Sequence, residues 1–143
     1  MKKIAVLGTG NIAQTVAVDL KSNGHEVRLF APDYLISRIQ KIVDTHEIEC
    51  VGVFEAKEKI DVVTSDIDKA VKGADYIILC VPGNRHEEYA RILKGHTTAQ
   101  QILITFNGCM VSLIYKNVWE EDASCPIFEE STIPPFSARR VEP

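Results

Sequence analysis

Apolar and polar positions fall in blocks along the chain, and the blocks change period. Residues 2–7 run from two lysines into a continuous apolar stretch, the pattern of a short buried strand. From residue 12 to 23 the apolar residues return at helical spacing. Ile12, Val16 and Leu20 share one face with Ala13 and Ala17 beside them, and Asp19, Lys21 and Ser22 take the wet side. Asn23 and Gly24 tolerate the left-handed conformation that closes helices, and residues 27–30 then predict a second strand.

Pro32 suits a first helical turn, so a helix is expected over residues 32–44, with Leu35, Ile36, Ile39, Ile42 and Val43 as its apolar side. Residues 48–54 and 60–64 are rich in β-branched side chains, and the polar residues 55–58 between them predict a hairpin turn, with the second strand able to continue into the parallel sheet. Ser65 or Asp66 caps a short helix through Val71, which Gly73 ends. Residues 76–81 form an uninterrupted apolar run, as a strand covered on both faces requires. A helix over 85–93, a strand over 101–106, a weaker helix over 110–118 and a last strand over 124–129 complete the series.

Strands alternating with helices predict an α/β fold, Rossmann-type and doubly wound: a mostly parallel sheet with helices on both faces, in one domain spanning residues 1–143. The first turn sharpens this. Gly8, Thr9, Gly10, Asn11, Ile12 and Ala13 carry the spacing of a dinucleotide fingerprint, placed between the strand and helix it needs. Gly8 permits the tight turn, Gly10 leaves room for a pyrophosphate, and Ala13 lets helix and sheet pack closely. Free N–H groups of the first helical turn can then hold the anion.

Composition narrows the partners. A net charge of -4 gives no basic footprint for nucleic acid or an anionic membrane. Cys50, Cys80, Cys109 and Cys125 are widely spaced, so no disulfide framework or zinc site is expected. The apolar run before Gly8 is too short for a secretory signal, and no stretch has the length to span a bilayer; the expected location is the cytoplasm.

In an open parallel sheet, ligands lie beyond the carboxyl ends of the strands. Thr9, Asn11 and Ile12 are expected to line the pyrophosphate turn, Val81 and Pro82 to pass the ribose and nicotinamide, and Asn107 and Gly108 to close the floor. His86 has two readings, a polar contact to the ligand or a helix-end residue ordering its loop. The end of the second strand sets cofactor choice. Ala31, or Phe30 in a shifted register, stands where an acid would bind the ribose of NAD. Arg38 follows nearby, with Arg28 a second base if it points to the edge, and Asp33 is the competing acid, so the residues lean toward NADP over NAD. No catalytic grouping and no metal site is read in the chain.

The turn at Gly8, the stretch from Gly24 to Phe30, the edge Cys80, Val81 and Pro82 with His86, and the tail ESTIPPFSAR together resemble the N-terminal domain of the opine dehydrogenase family, the octopine and nopaline dehydrogenases. The resemblance implies an enzyme that uses NADH or NADPH to condense an amino acid with a 2-oxo acid. It also implies a helical C-terminal domain carrying the catalytic residues, none of which maps here. Asn107 and Gly108 depart from the family's proline–glycine turn. Two alternatives stand beside it: a ketopantoate-reductase or glycerol-phosphate-dehydrogenase type of enzyme, and a stand-alone nucleotide-binding module. The apolar tail around Ile133 and Phe136 is expected either to meet a second domain or a second copy, or to be mobile.

Overall fold

The structure, a computed structural model, describes residues 1–141. Strand β1 (Lys3–Leu7) turns into helix α1 (Asn11–Ser22), and β2 (Glu26–Phe30) returns parallel to β1, with Leu7 opposite Phe30. The chain continues through α2 (Asp33–Ile36), α3 (Gln40–Thr45), β3 (Glu47–Cys50), β4 (Ala56–Lys59), β5 (Val62–Thr64) and α4 (Ile67–Val71). The second half comprises β6 (Tyr76–Leu79), α5 (His86–Leu93), β7 (Ile102–Phe106), α6 (Ser112–Trp119) and β8 (Ile127–Ser131).

Among the described residues, six strands form one parallel sheet in the order β5-β2-β1-β6-β7-β8, and β3 and β4 form a separate antiparallel ribbon. The chain builds outward from β1 in one direction and then from β6 in the other. That reversal opens a crevice over the carboxyl ends of β1 and β6. Alternation along β1 explains the two cores. Ala5 and Leu7 join Tyr89, Leu93, Tyr115 and Trp119 on the α4–α5–α6 face, while Ile4 and Val6 join Ala13, Ala17 and Ile42 on the other. Tyr115 and Trp119 close on Phe128 with ring centroids 5.2 and 6.0 Å away, fastening α6 over β8. Among the described residues no helix is long and apolar enough to cross a membrane.

Three expectations need correction. The hairpin turns at residues 51–55, and the polar residues 56–59 are its second strand. Gly52, at φ 124°, takes the turn; Lys57 on β4 pairs with Glu47 on β3 at 2.9 Å. The expected continuation into the parallel sheet is present as β5, which pairs with β2 through Val62 and Val63, but β5 is a separate strand and not part of this ribbon. The helix expected over 32–44 is broken by a tighter turn, Ser37–Ile39, with Pro32 extended as its cap. The last strand begins at Ile127 because Pro126 has no N–H for the ladder.

Part of the tail packs back on the domain. Phe136 is half-buried against Phe54, ring centroids 5.7 Å apart, and belongs to the core on the α1 side. Ile133 remains 71% exposed.

Candidate functional site

The glycine turn is shaped by what lies beneath it. Gly8 has φ 137°, and a Cβ there would meet the Cys80 carbonyl oxygen at 2.5 Å. Its N–H donates to the Phe30 carbonyl at 3.0 Å, while the Cys80 N–H donates to the Leu7 carbonyl at 2.9 Å. These two bonds lock the end of β1 between the ends of β2 and β6. Ala13 is fully buried, and its Cβ lies 3.4 Å from where a Gly8 Cβ would stand, so a larger side chain would push α1 off the sheet.

Gly10 is different. It is the N-cap of α1, and nothing lies within 4 Å of the place a Cβ would occupy. No side chain caps this helix end, and its first turn carries no acid. The first N–H groups therefore face open space at the positive end of the helix dipole, the arrangement that receives a phosphate. Thr9 is held by its carbonyl, which accepts from Gln14 Nε2 at 3.0 Å. Ile12 packs partly into the core, and Asn11 Nδ2 donates to the Ala138 carbonyl at 3.3 Å.

At the end of β2, Ala31 is fully buried and its N–H donates to the Thr64 carbonyl at 3.1 Å. Asp33 opens α2 and is exposed, as is Arg38 in the turn that follows. Arg28 does not face this edge. Its guanidinium holds Glu26 at 2.7 Å and the Lys72 carbonyl at 2.8 Å, stitching β2 to the end of α4. A groove lined by Glu26, Arg28, Val62 and Lys72 lies there, at the amino ends of β2 and β5 and away from the crevice.

Beyond β6, Val81 is buried and Pro82 exposed as the cap of a Gly83–Arg85 turn. His86 is fully buried rather than open to the crevice. Its Nδ1 lies 3.1 Å from the Tyr115 hydroxyl, joining α5 to α6. Burial holds its pKa below the ordinary histidine value, with the Glu130 charge partly opposing that shift, so the ring is neutral at pH 7. Of the two roles open to His86, this placement favours ordering its loop. Burial likewise pushes the Cys80 thiol up to about 12, which leaves it unreactive beside the turn.

Asn107 takes the left-handed conformation at φ 58°, and Gly108 is buried under it. A Cβ on Gly108 would stand 2.9 Å from Thr105 Oγ1 and 3.2 Å from Glu130 Cβ. Glu130 accepts from the N–H groups of Met110 and Ser112, which fixes the start of α6 beside the floor of the crevice. A further contact crosses the carboxyl edge: the Tyr34 hydroxyl of α2 donates to Glu88 of α5, which also pairs with Arg85 at 2.8 Å. Tyr34 and Glu88 are 54 residues apart, and nothing in their local sequence marks them as partners.

The sequence-predicted residues thus meet at one edge, with His86 enclosed behind it. Residues 3–116 match the family described as NAD-dependent glycerol-3-phosphate dehydrogenase N-terminus. The chain is 28% identical over 144 residues to vitopine synthase of Allorhizobium ampelinum, covering 99% of this chain and 40% of that protein. It is 35% identical over 108 residues to an opine dehydrogenase of Arthrobacter sp., covering 75% of this chain and 30% of that one. An octopine dehydrogenase solved in complex with NADH and agmatine superposes with a TM-score of 0.79 at 23% identity, over 90% of this chain and 34% of that one. The chain therefore spans about 40% of the length of the first of these relatives.

Proposed function

Since this chain belongs to the NAD-dependent glycerol-3-phosphate dehydrogenase N-terminus family, and is thereby an NAD(P)-binding Rossmann domain, we propose that it serves an opine-dehydrogenase-like oxidoreductase. The reaction proposed is reduction of the C=N bond between an amino acid and a 2-oxo acid. The observation that carries the opine reading is the reach of the similarity. The family match ends at residue 116, whereas the likeness to vitopine synthase continues through β8 and the tail.

A bound nicotinamide dinucleotide would supply hydride. The chain's own work is placement. The N–H groups after Gly10 take the pyrophosphate, the exposed edge at Asp33 and Arg38 takes the adenosine ribose, and Val81 and Pro82 border the nicotinamide path. Asn107 and Gly108 shape the floor beneath. Holding the reacting carbon against the nicotinamide accounts for much of such a barrier, so placement is itself a catalytic contribution.

The proton-transfer groups are proposed to lie in a second, helical domain, with the exposed residues Met110, Leu113 and Ile133 available to meet it or a second copy of this chain. A cytoplasmic setting fits the four unpaired cysteines. The test is calorimetric titration with NADH, NADPH, NAD and NADP, alongside an assay for oxidation of opines. Binding without turnover is expected from this chain. Failure of all four to bind at millimolar concentration would refute the reading.

A further inference from the structure

The tail beyond β8 returns to the glycine turn and is pinned there at two points. Phe136 packs on Phe54 with centroids 5.7 Å apart, and two residues later the Ala138 carbonyl accepts from Asn11 Nδ2 at 3.3 Å. Asn11 is the first residue of α1, beside the open space at Gly10. The next residue along the tail is Arg139, which is exposed.

We propose that Arg139 is a pyrophosphate-binding residue of the dinucleotide site, delivered by the tail to the N-terminus of α1. This rests on the reading given under Proposed function and adds a specific residue to it. Covalent geometry places the Arg139 Cα about 3 Å from the Ala138 carbonyl oxygen, hence within roughly 6 Å of Asn11 Nδ2. An extended arginine side chain carries its guanidinium about 6–7 Å from its Cα, enough to reach an anion on the first N–H groups of α1.

Charge makes the case stronger. Residues 8–14 contain no basic side chain, so the turn offers hydrogen-bond donors and a helix dipole without a full positive charge. A pyrophosphate bound there carries negative charge, and a guanidinium can pair two of its oxygens at once. The two anchors fix where residue 139 leaves the fold, so less chain freedom is lost when the contact forms. Asn11, whose amide is committed to the tail, then acts as a positioning residue for Arg139.

The experiment measures the Kd of NADH, ADP-ribose and adenosine for the unaltered chain and for Arg139→Ala, Arg139→Lys, Arg140→Ala and Gly10→Val. Arg139→Ala is expected to weaken NADH and ADP-ribose alike by about tenfold and to leave adenosine unchanged. It should also flatten the salt dependence of ADP-ribose binding, while Arg139→Lys, which keeps the charge but loses the paired contact, recovers only part of the affinity. ADP-ribose affinity unchanged in Arg139→Ala, or lost equally in Arg140→Ala, overturns the assignment. In either case, loss of binding in Gly10→Val leaves the functional reading standing. Should the unaltered chain bind no dinucleotide, both fall together.

Discussion

Gly8 and Cys80 are in such close contact that no side chain fits between them: a Cβ on Gly8 would lie 2.5 Å from the Cys80 carbonyl oxygen. The atom it would strike is backbone of the strand edge beside β1, which cannot swing aside. The same residue holds φ 137°, a conformation that L side chains avoid. Gly8→Ala is therefore expected to cost about 3 kcal/mol or more, combining backbone strain with overpacking. Urea denaturation followed by circular dichroism measures it; a loss under about 1 kcal/mol would mean the turn relaxes.

Gly10→Val is expected to show the opposite balance. Its side chain enters open space, so stability should fall by only about 1 kcal/mol, the cost of a poor N-cap. Dinucleotide binding should vanish because the valine fills the phosphate's place. A variant that folds and still binds NADH would show that the anion sits elsewhere.

We propose that cofactor choice turns on Asp33 and Arg38, both exposed after the end of β2. With Arg28 engaged by Glu26 and the Lys72 carbonyl, Arg38 is the arginine left to favour a 2′-phosphate. The expected result is tighter binding of NADPH than NADH, with Asp33→Ala altering that ratio little. If the unaltered chain prefers NADH and Asp33→Ala erases the preference, Asp33 is the ribose acid.

Gly108 gives a test at the floor. A methyl group there would crowd Thr105 Oγ1 at 2.9 Å and both Glu130 Cβ and Val111 Cγ2 at 3.2 Å. Gly108→Ala should cost about 1–3 kcal/mol by overpacking. It should also loosen the start of α6, read as faster amide exchange at Met110 and Ser112. Unchanged exchange would show that the neighbours absorb the methyl group.

Acid stability should depend on Asp61. Partial burial raises its pKa, but hydrogen bonds from Lys21 Nζ and the Val27 N–H outweigh that, and the net shift is below the ordinary 3.8. A depressed folded pKa means the contribution is present above 3.8 and is lost as pH falls through the folded value. Asp61→Asn should thus lower the melting temperature at neutral pH and flatten its decline in acid. Parallel pH profiles for both proteins would show that other carboxylates control the acid limb.

The glycine turn was legible in the sequence because its requirements are local. Gly8, Gly10 and Ala13 sit at fixed spacing between a strand and a helix whose apolar periods are read directly, and the parallel pairing with β2 follows. A cap at Ser65 or Asp66 was legible for the same reason, and the structure takes Asp66, its side chain accepting from the N–H groups of Asp68 and Lys69. Tertiary structure decided what depends on distant partners. The register of β3 against β4 follows from which residues pair across the ribbon, and polar residues at 56–59 hide it from a hydrophobic pattern. His86 keeps its two readings, ligand contact or loop ordering, until Tyr115, 29 positions away, encloses it. The proline-rich tail carries no period at all, so its return to Asn11, across 127 residues of chain, is set by packing against Phe54 and one long-range hydrogen bond. Local spacing specifies backbone conformation, while burial and long-range contacts belong to the assembled fold.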